Sequence, residues 1–183
     1  MITGQYVDHP NYYRSMSQSI ALDPIDLGIL RALQNDARIS NKALAAEVGI
    51  APSTCLDRVG RLRSAGVVKG ATIVVDAAAL GRPLQAMLAV RVRPHHRSVL
   101  NPFVSHVLRL PETRELYHLA GPDDFLVHVA VADATGLQRL VVDGFTARSE
   151  VTQVHTMLIF QQWQGGPLLP PEPQGPARRL TAS

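Results

Sequence analysis

Between Leu22 and Gly81 the chain spaces its apolar residues for three short helices and a hairpin, with a tight turn between the second and third helices, and this constrains the fold more than any other feature. Leu22-Asp-Pro-Ile-Asp26 opens the first helix. Asp23 can accept from free backbone amides as N-cap, Pro24 suits the first helical turn, and Asp26 adds negative charge at the positive end of the helix dipole. Ile25, Ile29, Leu30 and Leu33 then fall on one side of a helix, which the polar run Gln34-Asn-Asp36 ends. A second helix fits Ser40 to Val48, capped by Ser40 and stopped at Gly49, leaving Ile50 and Ala51 as the turn. The third begins at about Pro52 and runs to Ala65, with Cys55, Val59 and Leu62 stacked on one face and Gly66 ending it.

At roughly 100° per residue, Ser53, Thr54, Asp57 and Arg61 lie opposite that apolar face, with Arg58 at its edge. Helix, short turn, second helix with exposed arginine and hydroxyl groups, then hairpin is a geometry that docks in the major groove of duplex DNA. Arg58 and Arg61 have the planar fork that bonds guanine O6 and N7 or grips a phosphate. Ser53 and Thr54, at the helix start, can reach a phosphate with hydroxyls and free amides. Asp57 can accept from a cytosine amino group or orient a neighbouring arginine. Lys69, in the hairpin, completes the expected DNA-contact set. Gly60 costs roughly 1 kcal/mol against alanine inside the helix.

The 183 residues suffice for two small domains, and a hydrophobic content of 46% supports real cores. No apolar run approaches the ~20 residues of a membrane span and no signal-like segment opens the chain, so a cytoplasmic protein is expected. The single Cys55 excludes an intrachain disulfide and reads as a small buried hydrophobe. Formal charge is only +3, and of the 18 basic residues just Lys42 and Lys69 are lysines. That mild bias does not suit a non-specific DNA coat; it suits affinity gained from several copies acting together. Residues 1–19 read as a flexible polar tail in which Met16 is the expected natural start. Residues 165–183 read as a disordered Pro-rich tail ending near Arg178-Arg179.

Residues 82–164 repeat strand, helix, strand. Leu84, Ala86, Leu88, Val90 and Val92 alternate with other residues in a first strand, and Val99, Phe103, Val107 and Leu110 follow at helical spacing. Arg114 to Ala120 makes a second strand, Gly121-Pro-Asp-Asp124 a turn and Phe125 to Ala132 a third strand. Leu137, Leu140, Val141 and Phe145 mark a second helix, and Val151 to Trp163 a long last strand. The predicted class is α+β, a winged helix-turn-helix over 20–81 followed by a ferredoxin-like βαββαβ plait. One face of such a sheet has no helices, and homodimerisation is the economical cover, since a two-fold axis also sets two DNA-binding helices over a palindrome. A symmetric hairpin about Asp123 would set His118 opposite His128, half a zinc site at most, so neither a metal nor a cofactor is expected. No phosphate loop, nucleophile elbow or paired carboxylate frame points to an enzyme.

The sequence resembles the feast/famine, leucine-responsive (Lrp/AsnC) family of transcription regulators. The resemblance rests on Leu22-Asp-Pro-Ile-Asp26, Asp36-Ala-Arg-Ile-Ser40, and Arg58-Val-Gly-Arg-Leu-Arg63 running into Gly66-Val-Val-Lys-Gly70 and closing at Leu80-Gly81, and it extends to about Trp163. It implies sequence-specific binding of double-stranded DNA, a homodimer assembling further, commonly to an octamer, and a small effector, usually an amino acid, sensed by the second domain. The effector residues it implies are Gly121 and Asp124, the first for close backbone approach and the second to hold an ammonium group. The chain departs from the family in having Ala51 in place of a capping hydroxyl before Pro52, and Ala71 in place of an aromatic after the hairpin glycine. The rival reading is an oligomeric small-molecule-binding module whose helix-turn-helix docks another protein instead of DNA; binding that weakens steeply with salt separates the two.

Overall fold

Asp23 and Asp26 form a reciprocal cap on the first helix, α1 (Pro24–Asn35). The Asp23 carboxylate accepts from the Asp26 amide at 2.9 Å, and the Asp26 carboxylate accepts from the Asp23 amide at 3.1 Å. The computed structural model describes residues 20–171 and divides the chain into two units: residues up to Ile73 together with those from Gly165, and Val74–Gln164. In the first unit α2 (Asn41–Glu47) is capped by the Ser40 hydroxyl, 3.2 Å from the Ala43 amide, and the chain turns at Gly49 with φ +72°. The third helix, α3 (Pro52–Ser64), starts without a side-chain cap because Ala51 has none to offer, although the Asn41 amide donates to the Pro52 carbonyl at 2.7 Å. Ile29, Leu30, Leu44, Cys55, Val59 and Leu62 form the core of this unit. Burial pushes the Cys55 thiol pKa up, as befits a packing residue.

The expected hairpin after α3 carries no strand ladder within the described chain. The Val67 and Val68 amides both donate to the Leu62 carbonyl, closing the helix, and from there the backbone runs without strand pairing. Ile73 and Val74 remain 67% and 89% exposed. Val68 packs on the α1 to α3 core, but Ile73 and Val74 do not, and an isolated two-stranded ribbon is marginal without such support, which accounts for the missing ladder.

The second unit is the expected βαββαβ arrangement. It runs β1 (Leu84–Val92), α4 (Arg97–Val107), β2 (Thr113–His118), β3 (Phe125–Val131), α5 (Ala134–Arg139) continued by a π-helical turn over Leu140–Thr146, and β4 (Val151–Leu158). The sheet order is β2-β3-β1-β4, antiparallel throughout. Leu88, Val90, Val127 and Val129 pack from one face against Phe103, Val107, Leu140 and Phe145, with the Phe103 and Phe125 rings 4.9 Å apart. The other face carries Met87 and Ala89, their β3 partners His128 and Leu126, and their β4 partners Met157 and His155. Met157 and Tyr117 stay about half exposed there.

Three further expectations change. The last strand ends at Leu158, not Trp163: the Ile159 amide still donates to Gln85, but Phe160 and Trp163 beyond it are largely exposed. The tail does not begin as disorder at residue 165. The Gln34 side chain brackets Leu168, accepting from its amide at 2.8 Å and donating to its carbonyl at 3.0 Å, and Leu169 packs on the α1 to α3 core. The hairpin centres between Gly121 and Pro122, which pairs His118 with Phe125 and His128 with Glu115, so the two histidines are not opposite one another. Met16 and Arg178-Arg179 lie outside the described residues. Among the described residues no helix is long and apolar enough to cross a membrane.

Candidate nucleic-acid interface and ligand site

Burial of Cys55, Val59 and Leu62 locks one face of α3 and turns the Ser53, Thr54 and Asp57 side toward solvent, as the spacing predicts. Arg58 and Arg61 do not stand free on that side. The Arg58 guanidinium lies 2.6 Å from Asp23 and 3.0 Å from Asp26, and the Arg61 guanidinium also bonds Asp26. Asp26 is completely buried, and a buried carboxylate requires such partners. Burial pushes its pKa up, but the bonds from Arg61, the Asp23 amide and Arg58 outweigh this and the net shift is downward. The same pairing raises the Arg58 pKa, keeping it charged. The α3 helix is therefore clamped to the capped start of α1. The sequence does hold a signal for this, since both capping aspartates have carboxylate lone pairs left over after serving the two amides.

Two exposed α3 residues escaped the sequence reading. Leu56 is 62% exposed. Arg63 is exposed in the last turn of α3. Among the described residues neither Arg63 nor Lys69 takes part in an ion pair.

In the second unit Gly121 is exposed, and a Cβ built on it would meet nothing within 4 Å. Asp124, expected to offer a free carboxylate, is instead engaged within the chain. One oxygen accepts from the Val92 amide and from Arg93, both at 2.8 Å, and the other lies 3.2 Å from the His95 ring. Burial raises its pKa, while the Val92 amide and Arg93 lower it further, and the net direction is down. Asp124 thus ties the loop before β3 to the end of β1. His118 stacks on Phe125, whereas His128 is buried on the other sheet face with Gln85 2.8 Å from its ring nitrogen. Among the described residues no three potential ligands gather as a metal site.

A winged helix-turn-helix DNA-binding family model matches residues 22–69, and an Lrp/AsnC ligand binding domain model matches residues 85–168. The chain is 46% identical over 144 residues to the HTH-type transcriptional regulator AldR of Mycolicibacterium smegmatis, covering 79% of this chain and 84% of that one. It is 37% identical over 143 residues to a leucine-responsive regulatory protein of Rhizobium meliloti, covering 78% and 92%. Among solved structures it resembles a transcriptional regulator in complex with L-Met from Neisseria meningitidis, with TM-score 0.73, 27% identity and coverage of 82% of this chain and 97% of that one. Helix-turn-helix, plait and relatives agree: the chain belongs to the Lrp/AsnC family of DNA-binding transcriptional regulators, which pair a DNA-binding unit with a ligand-binding domain and are not enzymes.

Proposed function

We propose that the protein selects particular DNA sequences through α3 and that a small effector, an amino acid, alters its assembly or its DNA binding. The observation that carries this is the exposed trio Ser53, Thr54 and Asp57, which presents hydroxyls, and the free amides of the first turn, on a helix whose other side is immobilised by the core and by two ion-paired arginines. Ser53, Thr54 and Lys69 contact phosphates, and Asp57 faces the base edges. Arg58 and Arg61 hold the helix, and Arg61, about half exposed, has donors left for the groove. Two such helices act on one site when two chains pair through the sheet face bearing Met87, Leu126 and Met157, and such dimers assemble further toward an octamer in the cytoplasm. In the plait, Gly121 offers its backbone to the effector and Asp124 sets the loop geometry; the L-Met complex of the neisserial regulator supports this ligand class.

Fluorescence anisotropy on duplex DNA from just upstream of the protein's own gene, against a scrambled duplex across a salt series, tests the reading. Selective binding that weakens steeply with salt is expected. Equal, salt-insensitive behaviour on every duplex tried would favour a protein-docking role for α3, which Asp57 and the engaged arginines would suit.

A further inference from the structure

We propose a second small-molecule site in the plait unit, at the end of the sheet opposite Gly121, shaped for a zwitterionic α-amino acid with an apolar side chain. It rests on the amino-acid reading of the ligand-binding domain but concerns different residues. The site is a cleft of about 490 Å³ where β1 begins and β3 ends, inside the ~300–1,000 Å³ range of small-ligand pockets. Pairing of Leu84 with Val131 marks this end, and pairing of His118 with Phe125 marks the Gly121 end. The length of β3 separates the two by about 20 Å.

The floor is apolar, formed by Leu110, Val131 and Leu140. Its shape depends on the π-helical turn after α5, a departure that often accompanies binding sites. Gly144, buried in that turn, lets the backbone come close: a Cβ there would stand 3.2 Å from Leu140 and 3.4 Å from Leu110. The His106 ring nitrogen lies 2.9 Å from the Gly144 carbonyl and ties α4 to the turn, while Arg82 is engaged by the Pro111 and Ala130 carbonyls.

Around this floor stand Glu112, Arg139 and Asp143, and none of them makes an ion pair among the described residues. One free cation and two free anions beside an aliphatic surface match one ligand chemistry. A carboxylate pairs with Arg139, an ammonium with Glu112 or Asp143, and an apolar side chain covers Leu110 and Leu140. A simple anion would meet two repelling carboxylates, and a neutral apolar ligand would draw on none of the three charges, which stay solvated at the cleft rim.

Equilibrium dialysis of the full chain against L-methionine, L-leucine and L-phenylalanine in turn, counting molecules bound per chain, tests the site. Two are expected. Arg139→Gln and Ala132→Trp, the first removing the cation and the second filling the cleft from an exposed position, should each weaken one of them about tenfold or more. Gly121→Trp should remove the other. Methionine amide, which lacks the carboxylate, should bind the cleft weakly and lose little further affinity with Arg139→Gln. Unchanged stoichiometry and affinity in both cleft variants, with binding lost in Gly121→Trp, would overturn the cleft and leave the loop site standing. Absence of binding by all three amino acids alongside intact selective DNA binding would overturn the amino-acid reading at both ends.

Discussion

Replacing Asp26 with alanine gives the sharpest test of how the DNA-binding unit is held. This carboxylate is wholly buried and accepts from Arg58, Arg61 and the Asp23 amide. Removing one partner of a buried ion pair typically costs ~3–5 kcal/mol because the other charge is stranded. Here the stranding is partial: Arg58 keeps Asp23, and the two arginine side chains are 25% and 46% exposed, so water compensates part of the loss. Loss of the return bond to the Asp23 amide adds about 0.5–1 kcal/mol. The expected destabilisation of the helical unit is therefore about 3 kcal/mol, roughly a 150-fold increase in its unfolded fraction. Asp26→Asn, which keeps the shape but not the charge, should lose somewhat less. Amide hydrogen exchange along α1 and α3 in the full chain reads this locally, without confusion from the plait. If α3 amides in Asp26→Ala exchange within tenfold of the parent, the clamp is not what holds α3. Acid gives an independent check. The folded pKa of Asp26 lies below its ordinary value, so its stabilisation is present above about pH 4 and is lost as pH falls through the depressed value. The parent should lose α3 protection over that range, and Asp26→Asn should lack this component.

Other substitutions read other parts of the molecule. Arg63→Ala and Lys69→Ala should each weaken every duplex alike and lower the slope of log affinity against log salt by about 1, measured by anisotropy; a change of sequence preference would mean they read bases. Asp124→Ala leaves the Val92 amide and Arg93 without their acceptor. It should cost the plait about 2 kcal/mol in chemical denaturation and weaken effector binding through the loop, whereas a full loss of binding in an undisturbed plait would restore Asp124 as a direct ligand contact. Met157→Asp puts a charge on the half-exposed sheet face, and sedimentation should show a smaller assembly; unchanged mass would move the dimer contact elsewhere. Ending the chain at Gln164 removes Leu169 and the Gln34 bonds, and exchange along α1 should report about 1–2 kcal/mol of lost stability.

What the sequence made legible was mostly local. Caps at Asp23 and Ser40, the stop at Gly49 and the alternation along β1 announce elements because each depends on residues within a few positions of one another. The β2-β3-β1-β4 order also follows, since the βαββαβ sequence with two amphipathic helices has few compact solutions. Leu56 and Arg63 lie off the core face of α3 and could have been read from its wheel, but the ion pairs and the hairpin register depend on a neighbour that periodicity does not contain. A helical wheel for α3 knows its own core face, but not that the flank bearing Arg58 and Arg61 looks onto two carboxylates of α1.

The hairpin error has the same origin, and it bears on function. Centring the β2 to β3 turn on Asp123 treats both aspartates of Gly-Pro-Asp-Asp as turn residues. In the structure Asp124 is drawn out of the turn by the Val92 amide at the end of β1, and its own amide donates to the Val90 carbonyl, so the turn recentres between Gly121 and Pro122. The α3 surface and the Gly121 loop therefore each depend on an aspartate whose carboxylate is spent internally. Asp26 fixes the pose of α3, and Asp124 fixes the loop that begins at Gly121. On that basis substitutions at either aspartate should change affinity through loss of order, and a conservative exchange to asparagine should recover more than exchange to alanine. A residue that touches DNA or effector directly should show no such gradation with local stability.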